Sequence, residues 1–172
     1  MENSIMDFID IVLSYDESLV SRLDKLGFKK VFLMKGGVIS NPRDSKSLDM
    51  RVYSGANYST IIRKGSAKAI YGIALNKVAL DAGLCKKLKE NEMFVIFDFR
   101  ALIEAKNYFD VYKLYLRDAS MCNEHGVDAL FVSAAEKPSQ IKSPMQLVSF
   151  ANEFGYNYSN FRRSSKRFIS RL

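Results

Sequence analysis

Short apolar runs alternate along the chain with stripes of apolar residues at helical spacing. The clearest run, Met93–Phe99, is continuously apolar apart from Asp98, which is typical of a strand buried on both faces. The pattern predicts six strands, which are Ile5–Leu13, Val31–Met34, Leu48–Ser54, Ala69–Leu75, Met93–Phe99 and Val127–Ser133.

Apolar residues three and four apart predict a helix between most of these strands. Ser143, Pro144 and Gln146 form a strong helix start, with a capping box and proline at the first helical position. Ser14 and Glu17 fit a second capping box. The predicted helices cover about 14–27, 76–91, 108–124 and 143–155, and the glycine- and serine-rich stretch 35–47 is predicted to be a loop.

Strands that alternate with helices indicate parallel pairing and an α/β fold, either a barrel or an open doubly wound sheet. A complete eight-fold barrel needs about 200 residues or more. With six predicted strands in 172 residues, a TIM-barrel-like fold would be abbreviated or irregular. We expect a single α/β domain over residues 1–172, with a basic C-terminal helix over 156–172 packed on it.

The basic character is concentrated at the C-terminus. The chain carries 26 Lys and Arg against 19 Asp and Glu, a formal net charge of +7. Five of the basic residues, and no acidic one, lie in Gly155–Leu172. On a helix, one side of this segment would carry Tyr158, Phe161, Phe168, Ile169 and Leu172, and the other its Arg and Lys side chains. The pattern favours an apolar docking side and a cationic side that contacts phosphates.

Several classes of protein are excluded by simple counts. A single histidine, His125, excludes a multi-histidine metal cluster. Cys85 and Cys122 lie far apart in the sequence and form no C-x-x-C motif, as expected of reduced thiols in a helical core. No apolar run approaches the roughly 18 residues of a membrane span, and the acidic N-terminus is unlike a signal peptide. These observations predict a cytoplasmic protein with no membrane partner.

Candidate chemistry is sparse. Asp7, Asp10 and Asp98 lie on or after predicted strands and could form a carboxylate metal site, although Asp7 and Asp10 would point to opposite faces of one strand. Tyr53, Tyr58, Tyr156 and Tyr158 lie near basic residues and could stack on unpaired bases. A sound scaffold with basic surface and few catalytic groups favours a binding subunit over a self-sufficient enzyme.

One region resembles a known family. Residues Val127–Ala135, Ser139–Leu147 and Phe154-Gly155 resemble the signature region of ribonuclease P protein component 3, the thirty-kilodalton subunit family. In that family a strand runs into Ser-Ser-Gly-Ala, and an apolar residue, Arg, Ser and Pro then lead into a helix. Here Ala134 stands in place of the glycine and Lys142 in place of the arginine. The upstream segments Gly83–Leu88 and Met93–Phe97 also resemble the family's helix and strand.

The resemblance implies a barrel-like α/β fold related to the polymerase-and-histidinol-phosphatase phosphoesterases, without their metal-binding histidines. It also implies binding to the catalytic RNA of ribonuclease P and pairing with a small α/β partner subunit. The holoenzyme removes 5′ leaders from precursor tRNA, and the RNA performs this hydrolysis with Mg²⁺. The protein itself would then need no cofactor.

The expected function is therefore that of a non-catalytic subunit which stabilises the RNA. Two alternatives are a metal-dependent phosphoesterase on a related barrel, using the three aspartates, and an interaction domain with an incidental basic tail. The residues predicted to contact RNA phosphates are Arg63, Lys64, Lys86, Lys87, Lys142, Arg162, Arg163, Lys166 and Arg167.

Overall fold

The computed structural model describes residues 8–28, 30–35, 38–40, 42, 50–53, 70–74 and 80–171. These residues form a mixed α/β structure, which confirms the predicted class at that level. The strands are β1 Ile9–Val12, β2 Lys30–Lys35, β3 Val38–Ser40, β4 Met50–Tyr53, β5 Ile70–Ala74, β6 Phe94–Asp98 and β7 Asp128–Val132. The helices are α1 Glu17–Lys25, α2 Ala82–Glu90, α3 Phe99–Ile103, α4 Tyr108–His125, α5 Pro144–Glu153 and α6 Tyr158–Arg171, with a 3-10 turn at Pro138–Gln140.

The seven strands form one sheet in sequence order, from β1 to β7. β1 pairs with β2 in parallel, and β4, β5, β6 and β7 pair in parallel with their neighbours. β3 is antiparallel to both β2 and β4, so the expectation of purely parallel pairing is wrong there. β3 also lies inside the stretch predicted to be a loop. Lys35 pairs with Val38 across only two residues, Gly36 and Gly37, and a Gly-Gly pair is a hairpin signal.

Both faces of β6 are buried, as its apolar run predicted. Val95 and Phe97 of β6 belong to an outer cluster, in which the sheet packs against side chains from all six helices. Phe94 and Ile96 of the same strand belong to an inner cluster on the opposite face. The assignment alternates because successive side chains of a strand point to opposite faces.

The inner cluster brings the two ends of the sheet together. It contains Ile9 and Ile11 of β1 as well as Leu130 and Val132 of β7, although these strands are first and last in the sheet order. Two backbone hydrogen bonds join the same edges, from Ala134 N to Ile11 O at 3.0 Å and from Leu13 N to Ala135 O at 2.9 Å. The strand ladders of the described residues do not include a β1–β7 pair.

The helix starts follow their capping side chains. The predicted capping box is present at Ser143, whose hydroxyl accepts from Gln146 N while Gln146 Oε1 accepts from Ser143 N. The predicted box at Ser14 is wrong, because Asp16 caps α1 and accepts from Leu19 N at 2.9 Å. α2 likewise begins after Asp81, so Leu80 precedes the helix that was predicted to contain it.

α3 is a helix that the hydrophobic pattern did not predict. It follows β6 without a linker, because the Asp98 carboxylate that ends the strand accepts from Ala101 N at 3.0 Å and caps the helix. Only the last residue of the predicted strand, Phe99, is helical instead. A helix of five residues is too short to show a repeat of apolar residues at helical spacing.

α6 packs across the amino-terminal ends of β6 and β7. Phe161 is buried in the outer cluster, whereas Phe168 is fully buried in the inner cluster. The Phe168 ring makes edge contacts with Phe32 and Phe94, at centroid distances of 4.9 and 5.4 Å. α6 therefore closes one end of the inner core.

Among the described residues, none of the helices combines the length and the apolar character that a bilayer crossing requires.

Replacing Phe168 with alanine tests the docking of α6. We expect Phe168→Ala to lower the free energy of unfolding by about 3–5 kcal/mol, because it removes a buried ring that contacts two others. Lys166→Ala, an exposed change two residues away, should alter it by less than about 0.5 kcal/mol. Denaturant unfolding measures both, and equal effects would contradict the packing.

Ala134 and Ala135 provide a second, matched test, of the junction between β7 and β1. Both are buried, but Ala134 has φ +50°, in the left-handed region, where an L residue is strained by about 1–2 kcal/mol. For Ala134→Gly, relief of that strain offsets the lost methyl group and the greater chain entropy, so the free energy of unfolding should change by less than about 1 kcal/mol.

Ala135→Gly has no such strain to relieve and should cost about 1.5 kcal/mol. The same denaturant unfolding experiment measures both glycine variants. An equal loss in the two would contradict the left-handed conformation of Ala134.

Candidate nucleic-acid interface

A buried polar network holds α6 against the start of β7. Asp128, the first residue of β7, is 8% exposed and accepts from the Ser164 hydroxyl at 3.1 Å. Ser164 also accepts from Ala129 N at 3.2 Å and contacts the Tyr156 hydroxyl at 2.8 Å. Tyr156 in turn donates to Val127 O at 3.1 Å. Because every member has partners, the network fixes how α6 is turned on the sheet.

The start of α6 is held separately. Asn157 Oδ1 accepts from Asn160 N at 2.9 Å, as an N-terminal cap does. The side-chain amides of Asn157 and Asn160 both donate to Asn123 Oδ1 of α4, at 3.1 and 2.7 Å. The start of α6 is thereby tied to α4, and the backbone N–H of Asn157 adds a third hydrogen bond to Asn123 Oδ1 at 3.4 Å.

The opposite side of α6 carries a concentration of positive charge. We call this surface the cationic face, and it consists of Arg162, Arg163, Lys166 and Arg167. With Tyr158 and Ser159 these side chains line a shallow depression of about 540 Å³. The buried residues of α6 are Phe161, Ser164, Ser165 and Phe168. Phe161 and Phe168 therefore lie on the docking side as predicted, whereas Tyr158, predicted for the same side, lines the depression.

Asp128 lies beneath the cationic face and partly neutralises it. Its Oδ2 accepts from Arg167 Nη1 at 3.0 Å, and its Oδ1 lies 3.7 Å from Arg163 Nε. The hydrogen bond to Asp128 raises the pKa of Arg167, which keeps this guanidinium charged. The side chains of Arg163 and Arg167 are 42% and 55% exposed. Asp128 therefore orients each guanidinium while part of the side chain remains accessible to a ligand. Arg163, Lys166 and Arg167 above one carboxylate leave this part of the surface positive.

Besides Tyr158, two other residues of the predicted segment behave differently from the expectation. Arg171 was placed with the cations, but its side chain is 23% exposed, pairs with Glu92 at 2.7 Å and lies over the Phe94 ring at 5.5 Å. Tyr156 was a candidate for base stacking, but it is fully buried and its hydroxyl belongs to the network beneath α6. Tyr158 is 37% exposed and lines the depression. The side chains of Tyr53 and Tyr58 lie outside the described residues.

The remaining predicted cations that the structure describes belong to elements other than α6. Lys142 precedes α5, and its ammonium group lies 4.7 Å from the centre of the Phe99 ring, beyond the carboxyl end of β6. It therefore lies at the opposite end of the parallel strands from α6. Lys86 and Lys87 are exposed on α2, where Lys86 lies 3.9 Å from Glu90. Arg63 and Lys64 lie outside the described residues.

The carboxylates considered for a metal site have protein partners. Asp10 is fully buried, and its Oδ1 accepts from Ile11 N and Ser133 N, each at 2.8 Å. Its Oδ2 accepts from the Ser133 hydroxyl. Burial raises the pKa of Asp10 to about 7 and that of Asp98 to about 6. Asp7 lies outside the described residues. Within the part of the chain that the structure describes, no three His, Cys, Asp or Glu side chains form a group able to hold a metal.

The two cysteines are buried free thiols, as predicted. Burial raises the pKa of Cys85 to about 11 and also raises that of Cys122, so neither is a reactive thiolate near neutral pH.

No direct sequence signal marks the residues that position the cationic face. Asp128 looks like an ordinary polar residue between Val127 and Ala129, and Ser164 and Ser165 look like solvent-facing members of a basic helix. The sequence carries only a weak indication of the role of Asp128. A carboxylate at the start of an otherwise apolar strand needs buried hydrogen-bond donors. The hydrophobic pattern also does not distinguish Tyr108 and Phe109, which are exposed, from buried aromatic residues.

A comparison with family models found no match for the chain, and a comparison with curated proteins found none either.

The raised pKa of Asp10 predicts a pH-dependent stability. The folded chain holds this proton more tightly than the unfolded chain, whose Asp pKa is near 3.9. The extra stability is present below pH 4 and is lost as the pH rises through about 7, by up to about 1.4 kcal/mol per pH unit. Asp10→Asn keeps the hydrogen-bonding shape and should flatten the stability profile up to pH 7.

Asp98→Asn is the matched control, because Asp98 has a raised pKa of about 6 and should affect the profile only below that pH. Denaturant unfolding at half-unit steps from pH 4 to 8 distinguishes the two variants. An Asp10→Asn profile that keeps the native slope between pH 6 and 7 would refute the assignment.

Proposed function

We propose that this chain is a non-catalytic protein subunit of ribonuclease P, which binds and stabilises the catalytic RNA that removes 5′ leaders from precursor tRNA. The observation that carries the proposal is the cationic face of α6, with four basic side chains on one side of a helix whose other side is buried. Its partners would be this RNA, a small α/β subunit and, through the holoenzyme, precursor tRNA.

The physical role of such a surface is to reduce repulsion between RNA phosphates. Lys and Arg that neutralise phosphates release counterions, which gives affinity without sequence reading. Arg163 and Arg167 are already oriented by Asp128, so less side-chain freedom is lost when they bind. The Mg²⁺ of the reaction would belong to the RNA, and the chain would supply no cofactor.

We also propose that the sheet is an irregular barrel of the kind implied by the resemblance. Three observations support this: the sequential strand order, the inner cluster shared by β1 and β7, and the two backbone hydrogen bonds between these edges. Ala134 adds support for the resemblance itself. It has φ +50°, a conformation that favours glycine, at the position where the family has glycine.

The proposal retains the other predicted RNA contacts as a second, separate set. Lys142, Lys86 and Lys87 would meet RNA elements other than the one on α6, because Lys142 lies at the opposite end of the strands. Arg63 and Lys64 complete this set. A cytoplasmic location is proposed with it, since the buried Cys85 and Cys122 are free thiols.

Reconstitution tests the proposed function. Ribonuclease P RNA should cleave precursor tRNA at a lower Mg²⁺ concentration when this chain and its partner subunit are added, because protein cations replace part of the ionic screening. The rate is measured across a Mg²⁺ titration, with the protein alone as control. An unchanged Mg²⁺ requirement would contradict the proposal, and hydrolysis of phosphoesters by the protein alone would favour the phosphoesterase instead.

The salt dependence of RNA binding tests the cationic face. Lys166→Ala removes one proposed phosphate contact, so the slope of log K against log salt should fall in magnitude by about 1. Lys25→Ala, an exposed lysine on α1, is the matched control and should leave the slope unchanged. Identical slopes for both variants would contradict a phosphate contact at Lys166.

A further inference from the structure

A second surface feature lies at the other end of the molecule, between α3, α4 and α5. It is an open groove of about 410 Å³, within the size range of small-ligand pockets. We call it the aromatic groove, since five of its lining residues are aromatic. The side chains used below are Phe99, Tyr108, Tyr112, Lys142, Glu153 and Phe154.

We propose that the aromatic groove binds an unpaired nucleobase that carries an exocyclic amino group. The inference rests on the function proposed above and extends it. The cationic face contacts only phosphates, whereas the aromatic groove would recognise a base. The groove and the cationic face lie at opposite ends of the strands, so one folded RNA would have to reach both.

The aromatic side chains offer a stacking surface. Tyr108 and Tyr112 lie one helical turn apart on α4, with ring centres 5.8 Å apart and planes inclined by 29°. Tyr112 is backed by Phe154 at 5.1 Å, while Tyr108 remains 45% exposed. An exposed ring held by packed neighbours is the arrangement on which unpaired bases stack.

A carboxylate fixed on the groove wall gives the site its polarity. Glu153 Oε1 accepts from the Tyr112 hydroxyl at 2.8 Å, which holds the carboxylate beside the rings. In the proposed complex Oε2 accepts from the amino group of the base, as Glu and Asp do with the cytosine amino group. The same carboxylate would repel the carbonyl oxygens of uracil.

Lys142 can neutralise the phosphate of the bound nucleotide. Its ammonium group lies 4.7 Å from the Phe99 ring centre and lines the same groove. A cation beside an aromatic surface suits a base with its phosphate better than it suits an apolar protein segment. A protein segment remains the competing occupant, because Ile103 on the groove and Met145 on α5 are 50% and 61% exposed.

Two single-stranded probes that differ only in the base isolate the amino group. Fluorescently labelled octamers of cytidine and of uridine are titrated with the full chain at fixed salt, and anisotropy gives each Kd. The native chain should bind the cytidine octamer more tightly. Glu153→Gln should abolish this preference, since a neutral amide can pair with either base.

The stacking contribution has a matched control on the same helix. Tyr108→Ala should weaken binding of both octamers about tenfold. Leu116→Ala removes a side chain of similar exposure, 43%, outside the groove and should leave both Kd values unchanged. Thermal unfolding of each variant verifies that it is folded.

The proposal is overturned if the two octamers bind the native chain equally, or if Tyr108→Ala binds like Leu116→Ala; the second result would be expected of a groove that holds a protein segment. Failure of the ribonuclease P proposal is a different result. In that case the Mg²⁺ requirement of the RNA stays unchanged while the cytidine preference can still be present.

Discussion

Phe168 and Asp128 together determine how the C-terminal helix sits on the sheet, and the rest of the account depends on that placement. Phe168 inserts between the rings of Phe32 and Phe94 in the inner cluster. Asp128 binds Ser164 on the buried side of α6 and Arg167 at its edge. One side of the helix is therefore fixed by packing and hydrogen bonds, which leaves the basic side chains on the other side. Without this docking the basic residues would belong to a freely moving tail, with no shared direction.

The functional consequence follows from where charge and catalytic groups lie. The cations of α6 form one surface at the amino end of β6 and β7, whereas the buried Asp10 and the partly buried Asp98 accept hydrogen bonds from backbone and hydroxyl groups. Asp10 joins the first strand to the last through Ser133, so its role in this fold is architectural. A cationic surface of this kind can support an RNA catalyst through phosphate contacts alone.

Much of the fold was predictable because its signals are local. The run before Asp98, the capping box at Ser143 and the two-sided character of α6 all depend on a few neighbouring residues. β3 was missed because three residues carry no period, and α3 because Asp98 ends a strand and caps a helix at once. The cationic residues were predicted, but their support by Asp128 was not, since it joins positions about forty residues apart in the sequence. The aromatic groove was not predictable either, because it forms only where three helices pack together.

The most direct test of the central claim is a lysine-reactivity footprint of the chain with and without ribonuclease P RNA. An acetylating reagent modifies exposed lysines, and mass spectrometry follows each site. The account predicts that RNA protects Lys166 on the cationic face, while Lys25 on α1 reacts equally in both states. Undiminished reactivity of Lys166 in an RNA-bound sample would contradict it.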